Sequence, residues 1–342
     1  MRRIVCREFG PPDRLVLEEA PDPQPGPGQA LVRVRAAGVS FVDGLIVAGL
    51  YQMKPPLPFT PGLAVAGEVA GTGDGVSGLP AGTRVVGSSF GLGGYATHQL
   101  LPAEAAVPLP DAVTFEVAAT AAESYATMLF ALTRRTELRP GEWVLVLGAG
   151  GGIGLAAVDV ARSLGARVIA AASSPAKRAA AMAAGAQAAV DYVTEDLRAR
   201  VREITGAGAD LVVDPVGDSW AEPALRAIRW GGRFVSVGYA GGDIPRIPLN
   251  IVLLKNITVR GLELRTWTER LPEETARARQ ALTGLVARGM RPAVSEVHEL
   301  EDAGTALRRV ADRIPTGKVV IRVDPDISVT SLTTGGDGWR NR

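Results

Sequence analysis

The run Leu147-Gly148-Ala149-Gly150-Gly151-Gly152-Ile153-Gly154-Leu155 is the stretch of this chain best suited to chemistry. Glycines, lacking a Cβ, let a backbone turn tightly and approach a pyrophosphate. A helix opening at that point adds free N–H groups and the positive end of its dipole. A glycine-rich run of this kind, with Gly148, Gly151 and Gly154 three residues apart, is a weak signal alone. Here it follows an apolar strand, Trp143–Leu147, and opens an amphipathic helix over residues 153–164, the context in which the motif cradles a dinucleotide. Roughly 20 residues further on, a site for NAD carries Asp or Glu against the ribose 2′-hydroxyl. This chain instead has Ala171-Ala172-Ser173-Ser174-Pro175-Ala176-Lys177-Arg178, with no acidic residue between Val160 and Val190. Ser173 as a donor, with Lys177 and Arg178 as cations, suits a 2′-phosphate, so the expected coenzyme is NADPH.

Other chemistries lack their residues. Zinc that polarises a carbonyl is held by Cys and His. The candidates are Cys6, His98 and His298, no two of which share a ligand spacing, so no metal is expected. No G-x-S-x-G elbow is present to mark a serine hydrolase.

These residues need elements to position them. Residues 1–110 read as strands and turns. Ala30-Leu31-Val32-Arg33-Val34-Arg35-Ala36-Ala37 alternates like a half-buried strand, and the proline-rich stretch before it, residues 21–28, is a rigid turn. Short strands at 64–70 and 83–86, separated by glycine-rich turns, suggest a barrel or sandwich. From Thr114 to about Leu132 the texture is helical. Strands at Trp143–Leu147, 167–172, 210–214 and 232–238 then alternate with helices at 153–164, 175–184 and 220–230, the signature of βαβ units on a parallel sheet. A helix at 272–288 and a strand at 317–323 follow, and residues 324–342 read as a mobile tail.

Composition agrees with an ordinary globular protein. The 342 residues make roughly two domains. With 37 basic and 36 acidic side chains the net charge is +1, which offers no global field for nucleic acid or an anionic membrane. A single cysteine permits no internal disulfide. The first residues break any apolar run with charge, and no apolar stretch is long enough to span a bilayer, so a cytoplasmic location is expected.

Several stretches together resemble the medium-chain dehydrogenase/reductase superfamily, and more narrowly its zinc-free quinone oxidoreductase (zeta-crystallin-like) branch. They are Arg7-Glu8-Phe9-Gly10, the run from Arg35 to Asp43, Gly49-Leu50-Tyr51, the run from Pro61 to Val69, Gly148 to Gly154, Asp214-Pro215-Val216-Gly217, Gly231-Gly232-Arg233 and Thr316-Gly317-Lys318-Val319-Val320. The resemblance covers residues 1–323. It implies an α/β protein in which a Rossmann doubly wound parallel sheet is inserted into a GroES-like β-rich catalytic domain. The expected division is 1–120 catalytic, 121–260 NADPH-binding, 261–323 returning to the catalytic domain, and a tail. Zinc-containing relatives carry Gly-His-Glu where this chain has Gly62-Leu63-Ala64.

By position, the resemblance sets Gly151, Gly152, Ile153 and Gly154 on the pyrophosphate, and Ser173, Lys177 and Tyr192 around the 2′-phosphate. Thr127 and the Gly238-Tyr239-Ala240 turn fall near the nicotinamide ribose, with Lys318 near the coenzyme. The implied reaction passes a hydride to a quinone or an α,β-unsaturated carbonyl in a dry cleft between domains. Without zinc the developing oxyanion needs donors, for which Tyr51 is the first candidate and Ser40 the second; Asp43 reads as structural. The substrate side departs from the branch. Ser40-Phe41 replaces the usual Asn-Phe, Leu45 stands where some members have tyrosine, and Glu123-Ser124-Tyr125 replaces apolar residues. Glu123 reads equally as a substrate-specific group or a solvent-facing one. Alternatives are an enoyl-thioester or enone reductase, and a non-catalytic NADPH-binding, crystallin-like protein. A homodimer formed through the sheet edge near 257–264 is expected.

Overall fold

The computed structural model describes residues 1–323 apart from Arg288 and Arg291; the expected mobile tail therefore lies outside the described residues. The chain divides into two compact units, one formed by Met1–Glu123 together with the chain from Thr283 onward, the other by Ser124–Leu282.

The first unit is built on the long strand Gln29–Val39. Its apolar and charged residues alternate, so Val32 and Val34 are fully buried while Arg33 points outward, as the period-2 pattern requires. One edge pairs antiparallel with Ala64–Thr72, which continues to Arg84–Ser88 and Val107–Pro108. The other edge is shared: His98–Pro102 pairs with residues 29–33, and Lys318–Arg322 pairs with residues 36–39. The last strand thus lies beside one from the chain's beginning, and Val294–Glu299 joins it in parallel. Between the sheet and helix Ala303–Ala311 lies a core that includes Val32, Val65, Val85, Leu101, Leu307 and Ile321. Each such aliphatic side chain contributes about 1.5–3 kcal/mol on burial.

The second unit is a parallel sheet of six strands: Trp143–Leu147, Arg167–Ala171, Ala188–Val190, Ala209–Asp214, Ile228–Ser236 and Thr258–Gly261. Numbered in that order, they lie side by side as 3-2-1-4-5-6, the doubly wound arrangement. Helix Gly152–Ser163 follows the first strand and helix Pro175–Ala183 the second, the latter with Ser174 as its cap and proline at its start. The sequence reading passes over Ala188–Val190 and helix Leu197–Thr205, both too short or too charged to show an apolar period. It also extends the next helix to residue 230, whereas the helix ends at Ala227. There the backbone becomes extended at Ile228, and a register shift between Ile228 and Arg233 takes up the intervening residues. Thr258–Gly261 adds to the sheet edge, and helices Leu264–Arg270 and Pro272–Ala287 follow it, so the chain passes to the first unit at residue 283 rather than 261. No helix among the described residues is long and apolar enough to cross a membrane.

Candidate active site

In the second unit the glycine run follows the first strand at the point where the strand order reverses, the crevice in which such sheets hold ligands. Two glycines are demanded by close approach. A Cβ on Gly154 would lie 2.1 Å from the Gly148 carbonyl oxygen, and one on Gly150 would lie 2.4 Å from Lys177 Cβ. Gly151 begins the helix with no side-chain cap, leaving the first amides of Gly152, Ile153 and Gly154 without intrahelical acceptors. That is a built anion cradle.

Lys177 is half-buried beside this loop, with its Cβ against Gly150, and Ser173 is exposed just beyond the end of the second strand. Arg178 is engaged elsewhere: it donates to the Ala172 carbonyl at 3.1 Å and pairs with Asp191 at 2.8 Å. Tyr192 packs its ring against Trp220, centroids 4.5 Å apart. On the next loop, Asp214 is buried and accepts the amides of Val216 and Gly217 at 2.8 Å; burial raises its carboxyl while those bonds lower it. The turn of Gly238 and Tyr239 follows, with the Ala240 amide bonded to the Pro215 carbonyl. Gly238 and Tyr239 line a cavity of about 570 Å³ with Phe130, Arg135, Trp267 and Arg270, in which the Phe130 and Trp267 rings pack tilted at 52° with centroids 4.0 Å apart. Thr127 is buried on the same helical stretch as Phe130.

The first unit holds a buried polar cluster. Ser40 caps helix Phe41–Val47: its Oγ accepts the Asp43 amide at 3.1 Å, and Asp43 Oδ2 accepts the Ser40 amide at 2.9 Å. The Tyr95 hydroxyl donates to the same Oδ2 at 3.0 Å. Asp43 Oδ1 is buried with no hydrogen-bond partner among the described residues. Burial, with the nearby Glu123 charge second, raises the Asp43 carboxyl to about 7 against the bonds from Ser40 and Tyr95. The Tyr95 phenol is pushed up by its own burial and by Asp43. Tyr95 carries no motif, and a buried tyrosine's need for a hydroxyl partner was its only sequence signal.

Glu123 sits on a wide π-type turn, Ala121–Tyr125, a feature frequent at functional sites. It faces neither solvent nor apolar packing alone, because Lys318 Nζ lies 3.6 Å from its Oε2. Tyr51 packs beside Ile46, Leu63 and Leu92.

The metal donors are dispersed. Cys6 is buried with its thiol on the Glu8 carbonyl, while His98 and His298 face Asp22 and Glu296. Among the described residues no three His, Cys, Asp or Glu could hold one ion.

Residues 26–111 match the alcohol dehydrogenase GroES-like domain, and residues 152–280 match the zinc-binding dehydrogenase family. The chain is 38 % identical to quinone oxidoreductase-like protein 2 of Bos taurus, covering 94 % of this chain and 92 % of the relative. It belongs to the medium-chain dehydrogenase/reductase superfamily, in the quinone oxidoreductase branch. Two solved members of this superfamily are similar in structure. Escherichia coli quinone oxidoreductase complexed with NADPH has a TM-score of 0.87 at 32 % identity, covering 94 % of this chain and all of that one. The quinone oxidoreductase of Thermus thermophilus, also known in complex with NADPH, has a TM-score of 0.82 at 35 % identity, covering 94 % of this chain and 100 % of that one.

Proposed function

We propose that this chain is an NADPH-dependent oxidoreductase that reduces a quinone or an α,β-unsaturated carbonyl compound without a metal. The observation that carries the reading is the glycine cradle at the strand-order reversal, with Lys177 against Gly150 and no acid at the end of the second strand. When bound, NADPH supplies a hydride, an electron pair with its proton, to an electron-poor carbon. The chain's own residues do the rest. Gly151 to Gly154 bind the pyrophosphate on the helix end, Ser173 and Lys177 neutralise the 2′-phosphate, and the Gly238–Tyr239 turn with Thr127 orients the nicotinamide ribose. Tyr51 and Ser40 are the hydroxyl donors assigned to the acceptor oxygen; Ser40 Oγ already accepts one bond and keeps its hydrogen to give. Tyr192, packed on Trp220, forms the wall beside the adenosine end.

The exposed residues Leu249, Leu253, Leu254 and Val259, on and beside the edge strand, support a homodimer formed by pairing of that edge.

The test measures NADPH consumption with 9,10-phenanthrenequinone and with crotonyl-CoA, NADH being run in parallel. Turnover with NADPH in preference to NADH is expected, undiminished after chelation. Absence of any binding heat from NADPH overturns the reading. Full turnover by Tyr51→Phe with each accepted substrate removes that residue from it.

A further inference from the structure

Lys318 is the one buried lysine among the described residues. Withdrawing an ammonium from water costs several kcal/mol unless a partner offsets it, and here Glu123 does so at 3.6 Å with both side chains largely buried. Two further facts make the place more than an ion pair. Pairing of Val319 with Val39 brings Lys318 level with Ser40, the cap of the helix that carries Asp43. Asp43 Oδ1, nine-tenths or more buried, has no hydrogen-bond partner among the described residues. An ammonium, a paired carboxylate and an unsatisfied acceptor therefore collect at one end of the sheet, where Ser40 presents its hydroxyl. Hydride addition leaves negative charge on the acceptor oxygen, and positive charge aimed there is the strongest aid a protein offers. Among the described residues the scattered Cys and His cannot assemble a metal site for that task, whereas Lys318 carries the charge already.

We propose that Lys318 is a catalytic residue of the reduction, its ammonium stabilising and protonating the acceptor oxygen, and that Glu123 is the positioning residue that holds it. This rests on the oxidoreductase reading above. As the hydride's electron pair forms the new C–H bond, the carbonyl or conjugated π pair moves onto oxygen. An N–H bond of Lys318 breaks, an O–H bond forms, and the amine recovers its proton from solvent. The nicotinamide is oxidised and the quinone or enone reduced.

The first probe is 4-nitrophenol, whose phenolate is coloured and mimics the charged oxygen; it requires no turnover. The protein is expected to bind phenolate in preference to phenol, and Lys318→Met to lose about 10-fold or more of that preference, with Lys318→Arg restoring part. In turnover with NADPH and 9,10-phenanthrenequinone, Lys318→Met should lower kcat by about 10²–10³-fold, a loss well beyond any change in NADPH affinity by calorimetry. Equal phenolate preference in the unaltered protein and Lys318→Met overturns the proposal. So does a loss confined to NADPH affinity, which makes Lys318 a coenzyme contact only. If the unaltered protein reduces no acceptor, the oxidoreductase reading fails while the phenolate comparison still decides the role of Lys318. Should Lys318→Met fail to fold, Glu123→Gln, nearly equal in volume, makes the same comparison: unchanged phenolate preference with unchanged kcat overturns the proposal.

Discussion

Replacing Asp43 by asparagine isolates the proton that this buried carboxyl holds. The amide oxygen of Asp43→Asn can keep the bonds from the Ser40 amide and the Tyr95 hydroxyl, and its nitrogen falls where Oδ1 has no partner among the described residues. Burial raises the carboxyl from 3.8 to about 7. A native group with a raised value binds its proton more tightly than the unfolded chain does. Its contribution to stability is therefore whole below about pH 4 and is lost as the pH climbs through 7. Between pH 5 and 7 the loss spans about two pH units, or about 3 kcal/mol at 1.36 kcal/mol for each. The unaltered protein should thus lose about 3 kcal/mol more than Asp43→Asn between pH 5 and pH 8. At about 2–4 °C for each kcal/mol, the gap between their Tm values should open by about 6–12 °C over that range. Denaturant unfolding of both proteins at the two pH values, followed by circular dichroism, measures this directly, because titrating groups that do not interact with Asp43 cancel in the difference. Parallel pH dependence of the two proteins, within about 0.5 kcal/mol, would refute the reasoning.

Lys177→Ala should weaken NADPH about 10- to 100-fold by calorimetry and leave NADH unchanged, the worth of one charge-assisted bond; an equal loss for both coenzymes would place Lys177 away from the 2′-phosphate. Gly154→Ala forces a methyl group to 2.1 Å from a backbone oxygen and should cost about 1–3 kcal/mol of stability together with NADPH binding. Normal NADPH affinity in that variant would remove the loop from the site. Val259→Lys places a charge on the exposed edge strand and should convert a dimer to a monomer in light scattering; an unchanged mass would put the interface elsewhere.

Much of this fold was legible because its signals are local. The alternation around Val32 and Val34 requires one buried face, and the run from Trp143 through Gly154 joins strand, turn and helix within a dozen residues. The helix misread beyond Ala227 shows the limit, since apolar residues through Trp230 suit a helix until a neighbouring strand claims them. Arg178 shows another. Spacing alone sets it beside Lys177 as a phosphate ligand, but the third strand delivers Asp191 to it, and a 2.8 Å ion pair occupies the guanidinium.

By itself the amino-acid sequence determined the alternation of strands and helices and the glycine loop, which depend on periodicity and on closely spaced glycines, and its motifs resembled those of the family. Only the tertiary structure decided what Glu123, Asp43, Tyr95 and Lys318 touch. Their partners lie tens to hundreds of residues away, and no local pattern encodes a contact made when strands from opposite ends of the chain pair. Burial then raises the Asp43 carboxyl and the Tyr95 phenol, and burial exists only once the chain has closed around them.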